Sequence, residues 1–288
     1  MAIVVQPSSG CRMNRLNRSL YLLPIVAVTM AGAISCGGRA EGHATRRSHS
    51  EATVTITRNW PAASIRELRV FEVDGSISVE AATTSDISLV ATATGDLEIK
   101  KGVENDGLFE TTLEGDTLRI GRKEHHKNHF NIPFLFGADE KRIDYVLRVP
   151  PTLELEVMTV NGRIVTRGVE GETQATTVNG KIDIETAGLN ELRATTVNGQ
   201  VKAKFTRDFQ GALFKTVNGG VEAFFPQNAS FAVDLSQVNG DFEASFPLSI
   251  HSNPGSRRVS GEVNGGRHDL KIVTVNGDVA LAKLNDKM

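Results

Sequence analysis

Beyond residue 52, apolar and polar residues alternate along most of the chain, and a recurring Val-Asn-Gly sets the phase. Three residues after its asparagines stand Ile164, Ile182, Val201, Val221, Phe242 and Val279. Five after stand Thr166, Ile184, Ala203, Ala223, Ala244 and Leu281. The intervening places are mostly polar: Arg163, Lys181, Gln200 and Asp241, then Asp183, Lys202, Glu222 and Glu243. A period of two belongs to a strand with one buried face. Val, Gly and the two apolar followers share one parity, which predicts a strand that runs on through the glycine. Val and Gly would then lie inside, with Gly at a bend where a Cβ would crowd the core. Asn would look outward or cap a corner. A two-residue Asn-Gly hairpin is the competing expectation; it would put Val178 and Lys181 on one face instead.

The tripeptide occurs at Asn161-Gly162, Asn179-Gly180, Asn198-Gly199, Asn218-Gly219, Asn239-Gly240, Asn264-Gly265 and Asn276-Gly277, each preceded by Val. Its asparagines are 18, 19, 20, 21, 25 and 12 residues apart. A near-constant period of this size signals stacked repeats. The predicted fold is all-β: a single-stranded β-solenoid, a right-handed β-helix with coils of roughly 18–21 residues. Each coil also carries a return strand, such as Leu189-Asn190-Glu191-Leu192-Arg193-Ala194 after the corner Ala187-Gly188. The motif at Asn264 departs from the rule, because Arg267 holds its apolar place and Leu270 and Ile272 resume the core. Earlier copies of the grammar begin at Val73-Asp74-Gly75 and Thr94-Gly95-Asp96, while Leu118 and Ile120 imply a strand in another register.

The ends and one interruption differ. Residues 1–36 combine Arg12, Arg15 and Arg18 with an apolar run over 20–34, as an export signal does. They close on Ala33-Ile34-Ser35-Cys36-Gly37, similar to a bacterial lipobox, which makes Cys36 the expected lipid attachment. Residues 37–51 read as a flexible tether. Residues 52–150 form an N-terminal β region and 151–285 the repeat array. Residues 121–142 interrupt the pattern with His125, His126 and His129 and then Ile132-Pro133-Phe134-Leu135-Phe136. Insertions of this length are functional or disordered. The apolar run is expected to fold back over the solenoid. The histidines lack a Cys or acidic complement and read as solvated loop residues, so no metal site and no cofactor are expected.

The chain has 288 residues, 40% of them hydrophobic, and a net charge of −2, which argues against a nucleic-acid partner. One Trp and two Tyr leave little aromatic surface for stacking on sugars. Its two cysteines, Cys11 and Cys36, both precede the folded part, so no disulfide staples it. Asp183, Glu185, Glu222, Asp241 and Glu243 fall at or near outward positions. Paired carboxylates there would suit a polysaccharide lyase or glycosidase, the alternative reading. Scattered placement is also what a solvated strand face produces, so no catalytic residue is assigned. The column Thr159, Thr177, Thr196 and Thr216 reads as a cross-strand packing ladder, since the drifting period suits no regular lattice.

Val-Asp-Gly-Ser-Ile-Ser-Val at 73–79, Tyr-Val-Leu-Arg-Val-Pro at 145–150 and the tandem Thr-Val-Asn-Gly units from 159 onward resemble the bacterial putative-adhesin family. That family is a domain of unknown function found on secreted or lipid-anchored envelope proteins, and the resemblance spans about residues 52–285. It implies a β-solenoid and carries over no catalytic residues. The expected protein is an exported, non-enzymatic module, lipid-anchored in the envelope at the outer membrane. It would meet the membrane through its anchor and present a surface to an envelope protein or polysaccharide.

Overall fold

The computed structural model describes residues 52–95, 108–122, 142–248 and 258–284. Cys36, the tether, the three histidines at 125, 126 and 129, and the apolar run 132–136 lie outside the described residues.

The chain opens with β1 (Ala52–Pro61), a 3-10 turn (Ala62–Ser64), β2 (Glu67–Phe71), β3 (Ile77–Ala81), β4 (Asp86–Gly95), β5 (Glu110–Glu114), β6 (Thr117–Gly121) and β7 (Arg142–Val149). The repeats follow as β8 (Glu154–Thr159), β9 (Ile164–Val169), β10 (Thr173–Thr177), β11 (Ile182–Thr186), β12 (Leu192–Thr195), β13 (Val201–Phe205), β14 (Ala212–Lys215) and β15 (Val221–Phe225). The last strands are β16 (Phe231–Asn239), β17 (Phe242–Ala244), β18 (Arg258–Val263), β19 (His268–Asn276) and β20 (Val279–Lys283).

The architecture is all-β and solenoidal, with two strands per coil. One sheet runs β1-β4-β7-β3-β9-β11-β13-β15-β20-β17 and the other β5-β6-β2-β8-β10-β12-β14-β19-β16-β18. From β8 to β17 the even-numbered strand of each coil lies in the second sheet, and in the last coil β19 does. The chain then turns at Val-Asn-Gly, lays the next strand in the first sheet, and turns back at a second corner. Successive coils stack parallel and in register, with Ile182 opposite both Ile164 and Val201 and Ala175 opposite both Val157 and Ala194. The inner faces of the two sheets enclose one core. Small residues such as Ala175, Ala194 and Ala203 let the sheets close over it. At the second corner Phe205 stacks on Phe225 and Phe225 on Phe231, with centroids 5.2 and 4.6 Å apart and Phe209 edge-on to all three.

The strand does not run on through the glycine with valine inside. In β10 the inward residues are Thr173, Ala175 and Thr177, so Val178 continues the outward row. Val197, Val217, Val275 and Val238 are accordingly 37, 39, 37 and 49% exposed. The chain leaves one sheet and joins the other at Asn-Gly, and the corner absorbs the change of phase. The inner set is therefore Thr before the corner and the +3 residue after it. Glycine is needed there for a different reason from the one expected. A Cβ on Gly180 would lie 1.8 Å from the carbonyl oxygen of Gly162, and one on Gly199 equally close to that of Gly180. It is the backbone of the neighbouring coil that leaves no room, not the core.

Coils do not all stack in sequence order. The last one, β19–β20, lies between β14–β15 and β16–β17, and β18 covers β16 antiparallel. At the other end β7 separates β4 from β3, and β4 pairs antiparallel with both β1 and β7. Gly95 thus ends an antiparallel strand and is no coil corner, while Leu118 and Ile120 are buried in β6 as expected from their register. These antiparallel additions cover what would otherwise be open parallel edges.

The phase of a repeat can be tested on adjacent residues. Ile182 is 0% exposed and Lys181 is exposed. Ile182→Asp should cost several kcal/mol by burying a carboxylate among aliphatics, and Lys181→Asp less than about 1 kcal/mol. Urea midpoints of the two variants decide the matter.

Candidate functional site

The repeated corners stack into one ridge that runs the length of the solenoid. Along it the asparagine side chains form a continuous ladder. Nδ2 of each donates to Oδ1 of the next, from Asn239 through Asn276, Asn218, Asn198, Asn179 and Asn161 to Asp74, at 2.8–2.9 Å. Beneath it the threonines point inward. The hydroxyls of Thr159, Thr177, Thr196, Thr216 and Thr274 donate to the carbonyls of Gly75, Gly162, Gly180, Gly199 and Gly219 at 3.1–3.3 Å. The backbone adds a third rung: the N–H of Asn161, Asn179, Asn198 and Asn218 donates to the preceding coil's valine carbonyl at 2.7 Å. Hydroxyl, carboxamide and amide thus tie each turn of the ridge to its neighbours across coils. Asn264 stands apart, with φ 49° and its Nδ2 donating to Ala229 O at 2.8 Å.

All the ladder amides donate in one direction, toward Asp74. Aligned donors present the positive ends of their dipoles to that carboxylate, which explains why Asp replaces Asn at this end. Two residues before each ladder position lies the threonine place, and at the ends it changes. Gln237 occupies it beside Asn239 and donates Nε2 to Gly277 O at 2.9 Å, doing what the hydroxyls do elsewhere. Glu72 occupies it before Asp74. Beyond Asp74 the adjoining coil has Arg122 in place of a Val-Asn-Gly corner, so the group at 72 must accept rather than donate. Glu72 is 0% exposed; its Oε1 accepts from Arg122 Nε at 2.6 Å, from Val73 N–H at 2.9 Å and from Asp74 N–H at 3.3 Å. The Tyr145 hydroxyl lies beside it, yet neither that hydroxyl nor Glu72 Oε2 completes a hydrogen bond at standard geometry among the described residues. Burial raises the Glu72 carboxyl above its usual range, against the Arg122 charge and the Val73 N–H that pull it down. This terminus was not foreseen from the sequence, although the broken threonine column at 72 was its signal.

The carboxylates considered for glycan chemistry lie on the outer face of the first sheet, and three are tied to cations of neighbouring coils. Asp183 meets Arg163 at 2.8 Å and Arg167 at 2.9 Å, Glu185 meets Lys204 at 3.3 Å, and Glu222 meets Lys202 at 3.3 Å. Partial burial pushes the Asp183 carboxyl up, but the hydrogen bonds and charges of Arg167 and Arg163 outweigh it and leave it below its usual range. Asp241 and Glu243 sit on the exposed edge around β17, where the Asp241 N–H donates to Asp278. The structure therefore gathers the asparagine and glycine pairs of the repeat at one ridge and disperses these acids among cross-coil pairs.

The profile of the Toastrack family (Toastrack DUF4097), a domain of unknown function, matches residues 33–282. No curated protein matches the chain. Among solved structures, a putative cell adhesion protein from Clostridium sporogenes is similar at 8% identity and TM-score 0.46, over 80% of this chain and 99% of that one. A putative adhesin from Bacteroides fragilis aligns at 11% identity and TM-score 0.29, over 80% and 97%. A putative adhesin from Parabacteroides merdae aligns at 12% identity and TM-score 0.30, over 80% and 96%.

The ridge and its terminus are each open to test. Asn198→Asp keeps the acceptor for Asn218 but cannot donate to Asn179, and should cost about 1 kcal/mol. Asp74→Asn, which keeps its acceptor, should cost less, and chemical denaturation ranks the pair. At the terminus the variable is pH. A carboxyl whose folded pKa is raised binds more protons folded than unfolded between its two pKa values. The Glu72 contribution is then fully present below its ordinary value of 4.5 and is lost as pH rises through the raised one. Relative to Glu72→Gln, the wild type should gain stability as pH falls from neutral toward that value, as denaturant midpoints across the range would show.

Proposed function

The chain belongs to the Toastrack family, and from that premise we propose that it is a non-enzymatic, adhesin-like envelope module held by a lipid on Cys36. Its contact surface in this reading is the ridge, which meets an envelope protein or polysaccharide. The observation that supports it is a chemically uniform strip. Beside the asparagine ladder runs the outward column Val73, Val160, Val178, Val197, Val217, Val275 and Val238, and beside that Phe71, Met158, Thr176 and Thr195. Charged side chains dominate the sheet faces on either side, whereas in the strip only Asp74 and Lys215 are charged. A carboxamide has two N–H donors and two acceptor sites, and the ladder uses one of each at Asn179 and Asn198. The rest face outward at the spacing of stacked strands, roughly 4.8 Å. A neutral, amide-edged apolar strip binds by shape and hydrogen bonding rather than by charge.

Removing the valines without touching the core tests the surface. Val197→Glu with Val217→Glu should leave the unfolding midpoint within about 1 kcal/mol of wild type and abolish capture of envelope polysaccharide or protein by the immobilised chain. Retained capture would place the contact elsewhere. Fatty-acid labelling should mark the wild type and not Cys36→Ser. Release of reducing ends or unsaturated sugars from an envelope polysaccharide would overturn the non-enzymatic reading.

A further inference from the structure

Seven Asn-Gly pairs in one chain are seven chemical liabilities. In such a pair the glycine nitrogen can attack the asparagine side-chain carbonyl carbon, because no side chain shields it. The structure places six of the seven in the ladder and one outside it. We propose that Asn264-Gly265 is a site of spontaneous deamidation and isoaspartate formation, and that the ladder protects the other pairs.

The contrast is geometric. An interior ladder asparagine such as Asn198 is held at both ends of its carboxamide, donating to Asn179 and accepting from Asn218 at 2.8 and 2.9 Å. Its own backbone N–H is bonded to Val178 O at 2.7 Å. Two of the glycine nitrogens that follow ladder asparagines are engaged as well: Gly219 donates to Asn276 O at 2.8 Å and Gly277 to Asn239 O at 3.0 Å. Reaching the attack geometry there means opening several cross-coil bonds together. Asn264 instead sits in the exposed turn between β18 and β19, in the left-handed region at φ 49°, followed by Gly265 at φ 87° and Gly266 at φ 60°. Among the described residues its carboxamide makes a single hydrogen bond, to Ala229 O, and a Cβ on Gly265 would meet nothing within 4 Å.

The step balances with water alone. The Gly265 nitrogen loses its proton to solvent and bonds to Asn264 Cγ; the Cγ–Nδ2 bond breaks and ammonia leaves, giving a cyclic imide. Water then opens the ring. Cleavage of the new Cγ–N bond yields aspartate, and cleavage of the bond from the original backbone carbonyl to nitrogen yields isoaspartate, with the chain rerouted through the side chain. Either product loses the donor to Ala229 O; aspartate also sets its carboxylate against that carbonyl, and isoaspartate adds a methylene to the main chain of the turn. The turn leads directly into β19, the strand wedged between β14 and β16, so the lesion falls where the interleaved end is secured.

The test is incubation of the purified, folded full chain in mildly alkaline buffer made with oxygen-18 water, followed by peptide mapping and enzymatic isoaspartate assay. The peptide carrying Asn264 should incorporate label roughly tenfold or more faster than any ladder peptide, as the extra hydrogen bonds held by the ladder would dictate. Asn264→Gln should abolish its label and its isoaspartate signal. In urea all the Asn-Gly pairs should react at similar rates, which shows that the protection is structural. Asn264→Asp should lower Tm by roughly 2–4 °C, as loss of about one hydrogen bond does in a chain of this size. Ladder asparagines reacting as fast as Asn264 in the folded chain, or Asn264 staying unlabelled when folded while reacting in urea, would overturn the proposal.

Discussion

The closeness of two backbones at each ridge corner is the constraint on which the rest of the fold depends. Neighbouring coils approach so nearly that a single methyl on Gly180 or Gly199 would overlap a carbonyl of the adjoining coil. That approach fixes the register of both sheets at once, since each corner hands one strand to each sheet. It also buries glycine carbonyls away from water, and an unpaired buried carbonyl costs about 1–3 kcal/mol. Threonine at the place two before asparagine removes the penalty with a hydroxyl just long enough to reach. Valine between them is left to face outward.

Much of this was legible in the sequence, and the errors are instructive. The period revealed the stacking, and the polar places correctly located Lys181 and Asp183 outside. The parity of valine misled because a period of two presumes an unbroken strand, and a corner between sheets resets the count. Thr177 carried the right inward signal, but a hydroxyl on a buried face contradicts simple hydrophobic patterning and invites the opposite assignment. The Glu72 terminus was harder still. Its partner Arg122 and the adjacent Tyr145 are 50 and 73 residues away in sequence and are brought to it only by the interleaved order of coils.

A repeat array needs ends that differ from its middle, and here the differences are in polarity. A column of donors aimed one way requires an acceptor at its head, and Asp74 supplies it. A column of hydroxyls seeking carbonyls runs out where the next corner is missing, and Glu72 with Arg122 reverses donor and acceptor at that point. At the far end Gln237 keeps the donor function with a longer side chain, because the corner at Gly240 lies farther from its neighbour than the regular ones. Substitutions that look like decay of the repeat are thus the places where it is closed.

The interleaved order of coils has a consequence for how the molecule can be assembled and shortened. A simple solenoid is additive: each repeat rests on the one before, and removing the last trims the rod by one unit. Here β19 and β20, residues 268–283, form an interior layer, so deleting them would not trim the rod but divide it, stranding β16 and β17 from the rest. Growth from the N-terminus has the same difficulty in reverse, because the face of β14 and β15 stays open until the final strands arrive. The protein is therefore a closed object built from open repeats, complete only when its last coil has been slotted into place.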